Sequence, residues 1–457
     1  MAAKWLVWCA LGVAASGPAH GENLLQAYDE ARVQDQTFAA AQATYRAAVE
    51  ALPQGRAGLL PTIGLSASAQ RNNLDTEYVP GLPKGVPLVT GTQAFGSHGY
   101  ALTLDQPLFN VPKYARYEAS NYAVAQAQTT LAIAGQDLMV RVAAAYFGVL
   151  QAQDDVAFAQ AQLKALAGER AQAERRFRVG TATIVDTREA EARYDAVAAQ
   201  ELAAEDALQV KRYALETIIG RTPAPLAPLS ARLPLGLPSP DRMAAWVSAA
   251  RTQNLVLQTR ELQSRIAAED VARAKGGNDP TLDLVASDGY TYAGATPFGA
   301  GEKLRARAIG VELNLPLFEG GIVSSRIRQA QASQDAAQDE VRQTAREVAL
   351  ETRQAFLGVT DGAAQVRAAR LAVLSAKSSL DATALGLKVG VRTNVDLLNA
   401  QQAYFDARRN LSEARYAYIL SELKLRLAVG TLKEADLVRV NGWLAPTAPR
   451  RLIDPGR

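Results

Sequence analysis

The sequence predicts an α+β membrane protein with an internal duplication. Long antiparallel coiled-coil helices form an α-barrel, and four β-strands per protomer contribute to a 12-stranded trimeric β-barrel. Three observations predict it. Short motifs recur in the same order about 210–220 residues apart. Apolar residues follow a four-three heptad over two very long stretches. Four segments alternate apolar and polar residues with period two.

At the N-terminus, Met1 to Lys4 is a short basic region, and Trp5 to Ala15 is an apolar stretch too short to cross a bilayer as a helix. Ala19 and Gly21 supply small residues before a cleavage point. Residues 1–21 therefore read as a signal peptide with the mature start near Glu22, the alternative being a buried N-terminal helix. The only cysteine, Cys9, falls in that segment and is wrongly placed for a lipid acceptor. No disulfide or thiolate metal site is then expected, and no cofactor. Of two histidines only His98 lies beyond the cleavage point, which argues against imidazole acid–base chemistry and a histidine metal site. The net charge of +3, with 21% charged residues, gives no basic block for nucleic acid and no acidic tail. Sparse aromatics, 6%, and abundant alanine suit closely packed long helices. No later run of 18 apolar residues exists, so periplasmic, secreted and β-barrel fates stay open at this point.

The duplication organises the rest. Val179-Gly180-Thr181-Ala182-Thr183-Ile184-Val185-Asp186 returns as Val389-Gly390-Val391-Arg392-Thr393-Asn394-Val395-Asp396. Pro61-Thr62, Pro107-Leu108-Phe109 and Tyr146-Phe147-Gly148-Val149 return as Pro280-Thr281, Pro316-Leu317-Phe318 and Phe356-Leu357-Gly358-Val359. Ordered recurrence of this kind marks a repeated unit. The first repeat covers residues 22–220 and the second 241–432, each with the order helix, strand, loop, strand, long helix, turn, helix. Residues 221–240 carry six prolines and read as an extended linker. Residues 433–457 read as a C-terminal tail.

Within the first repeat, Leu138, Val142, Ala145, Val149, Ala152, Val156, Ala159 and Leu163 form a heptad seam. In the second, Val348, Thr352, Ala355, Val359, Gly362, Val366, Ala369 and Val373 repeat it. From Pro112 to Gly180 is enough chain for about 100 Å of helix. Such a length exceeds a compact domain and suits a coiled coil or an extended tube, against the alternative of a bundle folded back on itself.

The strands are expected at about 61–70, 100–108, 280–288 and 306–317. Ile63, Leu65 and Ala67, then Leu102 and Leu104, then Leu282, Leu284 and Ala286, then Ile309, Val311, Leu313 and Leu315 supply their apolar sides. Asn72 to Ser97 and Asp288 to Leu304, rich in glycine and proline, read as exposed loops. Four strands cannot close a membrane barrel, since about eight is the smallest bacterial count, and lipid does not tolerate an open sheet edge. Three chains giving twelve strands is the simplest cyclic closure. Pro61, Pro107, Pro280 and Pro316 then mark the barrel–helix junctions. A soluble four-stranded α+β domain would leave the helix length unexplained.

Taken together, Leu60-Pro61-Thr62, Pro316-Leu317-Phe318-Glu319-Gly320-Gly321, Ser378-Ser379-Leu380-Asp381-Ala382 and the run from Val389 to Leu398 resemble the TolC family of outer-membrane efflux and secretion channels. The resemblance spans nearly the whole mature chain. It implies a homotrimer in outer-membrane lipid extending into the periplasm. Its partners would be a periplasmic adaptor (membrane fusion protein) and an inner-membrane transporter such as an ABC exporter, with no catalytic role and no nucleic acid. The alanine-rich character and the absence of a lipid-acceptor cysteine point to toxin export by a type I system of the cyclolysin kind. The alternatives are a multidrug efflux pump component and, from another class, a trimeric structural coiled coil or adhesin. An enzyme would need a nucleophile, metal or phosphate motif, and none is present.

By position, the resemblance also implies a periplasmic gate with Asp396 in a pore ring, Arg392 as linking cation and Asp186 as partner. Asn399 stands where a second ring aspartate is expected and Leu387 where a gate tyrosine is expected. A ring with half the carboxylate charge and one hydrogen bond fewer should block divalent cations more weakly and close less tightly. Both aspartates also satisfy a helix capping box, Thr183 to Asp186 and Thr393 to Asp396. Capping alone accounts for Asp186 equally well, and for Asp396 the two roles are compatible. Arg392 has the alternative of a solvated turn residue.

Overall fold

The computed structural model describes residues 21–77, 90–296 and 300–445; the expected signal peptide lies outside them except for Gly21. The chain divides into two compact units, and neither is a sequence repeat. Residues 42–131 and 255–346 form a sheet-bearing unit. Residues up to 41, 132–254 and from 347 onward form a helical unit. Each unit takes matching segments from both repeats, so the duplication is built into both.

In the sheet-bearing unit, β1 (Thr62–Thr76), β2 (Gly91–Phe109), β3 (Thr281–Ala293) and β4 (Glu302–Asn314) form one antiparallel sheet in the order β1-β2-β3-β4. Ile63 faces Leu104, Leu65 faces Leu102, Leu284 faces Val311 and Leu282 faces Leu313. Directly opposite residues share a sheet face, so these leucines, isoleucine and valine make one apolar surface. The strands extend beyond the sequence expectation. Residues 72–76, 91–97, 288–293 and 302–304 were expected as loop and are paired strand instead. Backbone ladders do not require apolar side chains, so the pairing continues after the alternation fades. The sheet edges are open: β1 and β4 have no outer partner, and every residue of β4 is exposed.

The proline positions differ between the repeats. Pro61 and Pro280 immediately precede β1 and β3. Pro316 follows β4, and the chain turns through Gly320 and Gly321 before the helix that begins at Ile322. Pro107, expected at a junction, instead lies inside β2 at a register shift between Pro107 and Phe109. A missing N–H is tolerated at such an irregularity. The first-repeat junction is two to three residues later, where the Asn110 side chain accepts a hydrogen bond from the Lys113 amide at 3.0 Å and caps the incoming helix.

Three short helices, α1 (Leu24–Gln34), α2 (Gln36–Val49) and α3 (Ala51–Ala57), precede β1. Two very long ones, α4 (Val111–Arg178, 68 residues) and α8 (Ile322–Lys388, 67 residues), follow β2 and β4. Each is about 100 Å long at 1.5 Å per residue. The pairs α5 (Ile184–Ile219) and α9 (Asn394–Val429) return from them, and α6 (Met243–Gln253) with α7 (Leu255–Lys275) leads into β3. Among the described residues α4 alone is long and apolar enough to cross a bilayer by composition. Its apolar seam is spent inside the protein instead: Leu138, Val142, Val149, Ala152 and Ala159 are buried, and Ala145 and Val156 pack beside them. On α8, Val348, Thr352, Val359 and Val366 are buried, and the Thr352 hydroxyl donates to the Val348 carbonyl at 2.7 Å.

The proline-rich segment 221–240 packs on the helical unit. It forms no helix, and Leu226, Ala227 and Leu233 enter the core. Glu22 bridges Leu226 and Leu229 bridges Leu444. The fully buried Tyr146 of α4 clamps this seam; its hydroxyl is shared between the Glu22 carbonyl at 2.9 Å and the Ala227 carbonyl at 3.0 Å. Burial pushes that phenol far above its ordinary range, so it stays a donor. Asp35 docks the α1–α2 junction on α4 through a two-pronged contact with Arg141, at 2.9 and 3.0 Å. Part of the expected C-terminal tail is helix: α10 (Glu434–Asn441) buries Leu437 and Val440 in the same core. Leu437 and Val440, three apart on one face of α10, explain the docking.

Replacing Tyr146 with phenylalanine keeps the ring and removes the clamp. We expect a loss of about 1–3 kcal/mol, the usual cost of leaving a buried carbonyl unpaired. Thermal unfolding of the detergent-purified variant measures it, and an unchanged midpoint would show that the hydroxyl contributes nothing.

Candidate functional site

The helical unit places the two repeated turns side by side. Each long helix ends at a glycine with a left-handed backbone, Gly180 at φ 74° and Gly390 at φ 81°. Side chains with a Cβ avoid that region, which is why glycine ends both helices. Thr183 and Thr393 then cap α5 and α9. The Asp186 carboxylate accepts from the Thr183 amide at 2.9 Å and the Asp396 carboxylate from the Thr393 amide at 3.0 Å. In return each aspartate amide donates to the threonine Oγ1 at 3.2 Å. Capping is thus a real role of both aspartates. Each bond uses Oδ2 of a carboxylate that remains half-exposed.

The Asp396 carboxyl is held below its ordinary value of 3.8, chiefly by the Thr393 amide and hydroxyl, with the Arg392 charge a smaller contribution. Arg392 is exposed, and its side chain lies over Gly386 at the end of α8. A Cβ at Gly386 would stand 2.7 Å from the Arg392 Cγ, so the small residue makes room for that arginine. Among the described residues no ion pair joins Arg392 to Asp186.

Between the turns lies a cleft of about 220 Å³. Asp186, Thr181 and Ala182 line one side, and Leu387, Thr393 and Asn394 line the other, with Arg176 beside them. The structure therefore brings together Asp186 and Leu387, which are far apart in sequence. Leu387 offers the cleft an apolar, half-buried side chain with no hydroxyl to donate.

Asn399 is one helical turn further along α9 and is tied down. Arg193 of α5 donates to the Asn399 Oδ1 at 3.0 Å and to the Gln402 Oε1 at 2.6 Å. Arg193 also pairs with Glu189 at 3.3 Å. The spacing of 210 residues that relates Asp186 to Asp396 also relates Glu189 to Asn399. One arginine thus bridges the equivalent positions of the two repeats, carboxylate on one side and amide on the other. Gln401 reaches across to Glu169 of α4 at 3.4 Å, and burial raises that carboxyl above its ordinary range. Beneath these polar ties, Leu166, Ala173, Ala190, Val197 and Leu398 form a small apolar core of their own. Sequence reasoning missed Arg193, Gln402 and Glu169. The one available signal was the Glu189–Arg193 spacing of four, which by itself reads as a solvated helix face. Among the described residues no cluster of histidine, cysteine or carboxylates could hold a metal ion.

Comparison with known proteins places this geometry. The family described as outer membrane efflux protein matches residues 27–221 and 246–431, one segment for each repeat. The outer membrane protein TolC of Vibrio cholerae is 35% identical over 442 residues, covering 96% of this chain and 97% of that protein. The proteases secretion protein PrtF of Dickeya chrysanthemi is 31% identical over 434 residues, covering 93% and 92%. Among solved structures, the outer membrane protein VceC of Vibrio cholerae superposes with a TM-score of 0.75 at 22% identity, covering 89% of this chain and 96% of that one, a likeness of fold. The chain belongs to the outer membrane efflux protein family, whose members are outer-membrane channels extending into the periplasm and not enzymes.

Proposed function

We propose that three copies of this chain close one conduit, the exit duct of a tripartite system that exports a protein by the type I route. The sheet carries this reading. β1 and β4 each present an unpaired backbone edge beside an exposed apolar face, with Ile63, Leu65, Ile309 and Val311 all more than half exposed. Lipid offers no hydrogen-bond partner to such an edge, whereas β1 of one copy can pair with β4 of the next. Threefold closure gives twelve strands, within the range of bacterial barrels. A periplasmic adaptor and an inner-membrane transporter such as an ABC exporter complete the system. Likeness to a proteases secretion protein over nearly the full chain supports protein cargo over drugs.

The two capped turns form the periplasmic constriction in this reading. Asp396 supplies a ring of three carboxylates, Arg392 links neighbouring helices and Asp186 is its partner. Leu387 and Asn399 loosen the closure. The cleft shared by Asp186 and Leu387 supports placing both turns in one device. The Arg193 bridge to Asn399 supplies a tie within each chain that the missing aspartate would otherwise have strengthened. Three negative charges in a narrow passage favour cations and retard divalent ones.

Deleting the gene should empty the culture medium of an exported protein and leave drug tolerance unchanged. The opposite pattern would assign the channel to a multidrug pump, and a purified chain that is monomeric in water without detergent would end the conduit reading. In planar bilayers, Asp396→Ala should weaken block by divalent cations by about ten-fold, the order expected on losing a ring of charge. Unchanged block would remove Asp396 from the passage. Because its carboxyl sits below 3.8, the cation preference should persist as pH falls through 3.8 and vanish only below it. Arg193→Ala cuts the α5–α9 tie and should raise the resting conductance; Arg193→Lys, which keeps the charge and loses the two-pronged reach, should fall between.

A further inference from the structure

The strand register sorts the sheet into two unlike faces. On β4, Ile309, Val311 and Leu313 alternate with Ala308, Gly310 and Glu312. Following the apolar side toward the loop end, the next three residues on the same face are Arg307, Arg305 and Lys303. Across the ladder they stand opposite Asp288, Tyr290 and Tyr292. Tyr290 in turn stands opposite Tyr100, and Tyr292 opposite His98. Arg71 of β1 lies two residues beyond Ala69, the partner of His98, again on this face.

One face of one sheet therefore carries two zones in order. The first is an apolar band. Beyond it tyrosines and cations share the same rows, with the Tyr100 and Tyr290 rings 5.9 Å apart. Arg305 lies over the Tyr290 ring at 5.9 Å, and Arg307 pairs with Asp288 at 3.1 Å while its side chain stays 80% exposed. Lys303 and Arg71 are exposed. The opposite face of β4, from Glu302 through Leu304 and Ala306 to Asn314 at alternate positions, has no cation at all. Charge that merely guarded an edge strand against aggregation would not need the tyrosines or the confinement to one end. The order is that of a membrane boundary, an apolar band giving way to amphipathic rings and cations together at headgroup depth.

In the proposed conduit the loop end of the sheet, away from the strand ends that lead into α4 and α8, faces the outer surface. We propose that Arg71, Lys303 and Arg305 form a binding collar for the phosphate groups of the phosphorylated glucosamine lipid of the outer leaflet, lipid A. Guanidinium matches phosphate oxygens in pairs, and lysine adds a point charge. The tyrosines stack against the sugar and the apolar band takes the acyl chains. Arg307, held by Asp288, orients the row without being free to bind. The collar rests on the reading that this face meets lipid.

Purified full-length protein in detergent would be mixed with diphosphorylated lipid A, or with the same lipid enzymatically dephosphorylated, and the retained lipid measured by native mass spectrometry. The wild type should retain the phosphorylated lipid and shed the other. The triple variant Arg71→Gln, Lys303→Gln, Arg305→Gln should lower retention by at least about ten-fold, while Arg71→Lys with Arg305→Lys keeps most of it. If the triple variant does not fold, Lys303→Gln and Arg71→Gln singly should each lower retention by about two-fold or more. Equal retention of both lipids by the wild type, or equal retention by wild type and neutralised variants, overturns the collar. Partition of the wild type into phosphatidylcholine vesicles is read separately: a chain that stays out of them overturns the membrane face itself, and with it the collar.

Discussion

A backbone amide or carbonyl in hydrocarbon must have a partner, and the outer edges of β1 and β4 have none within the chain. Most of what distinguishes this protein follows from that constraint. A closed barrel inside one chain would need about twice as many strands. A short, charged edge would protect a soluble sheet, but these strands are 15 and 13 residues long and carry exposed isoleucine, leucine and valine. The sheet is built to be completed from outside.

The helical unit answers a different demand. Its core is assembled from α1, α4, α5, α8, α9 and α10 together with the proline-rich segment, and Tyr146 and Asp35 fasten the first described residues to it. Toward the turns this apolar core gives way to a small second cluster and a set of polar ties. Local stability follows buried apolar contact, so the turns are the part of the unit with least holding them in place. That suits the constriction proposed for these turns, which must open.

The long seams were legible because a heptad repeated over many turns has few competing explanations, and Leu138, Val142, Val149, Ala152 and Ala159 are buried as the spacing requires. The strands were legible only where one side meets an apolar environment. Past Gln70, and before His98, the regular alternation is lost, and pairing there follows from the ladder alone. Pro107 misled because proline reads as a boundary, whereas a register shift accommodates it within β2. The capping boxes were visible as four-residue patterns and are made as written. Arg193 was not visible, since its partners Asn399 and Gln402 are over two hundred positions away and its local neighbour Glu189 suggested an ordinary surface pair.

Fusion of two similar halves into one polypeptide has a consequence for symmetry. Six unfused halves could supply as many strands as three fused chains, but every turn in such a ring would be chemically the same. Joining them lets the turns diverge: alanine at 182 became free to differ from arginine at 392, and glutamate at 189 from asparagine at 399. In the proposed threefold conduit, alternate positions around the ring can then specialise, one set to line the opening and the other to brace it, which a sixfold assembly of identical pieces could never do.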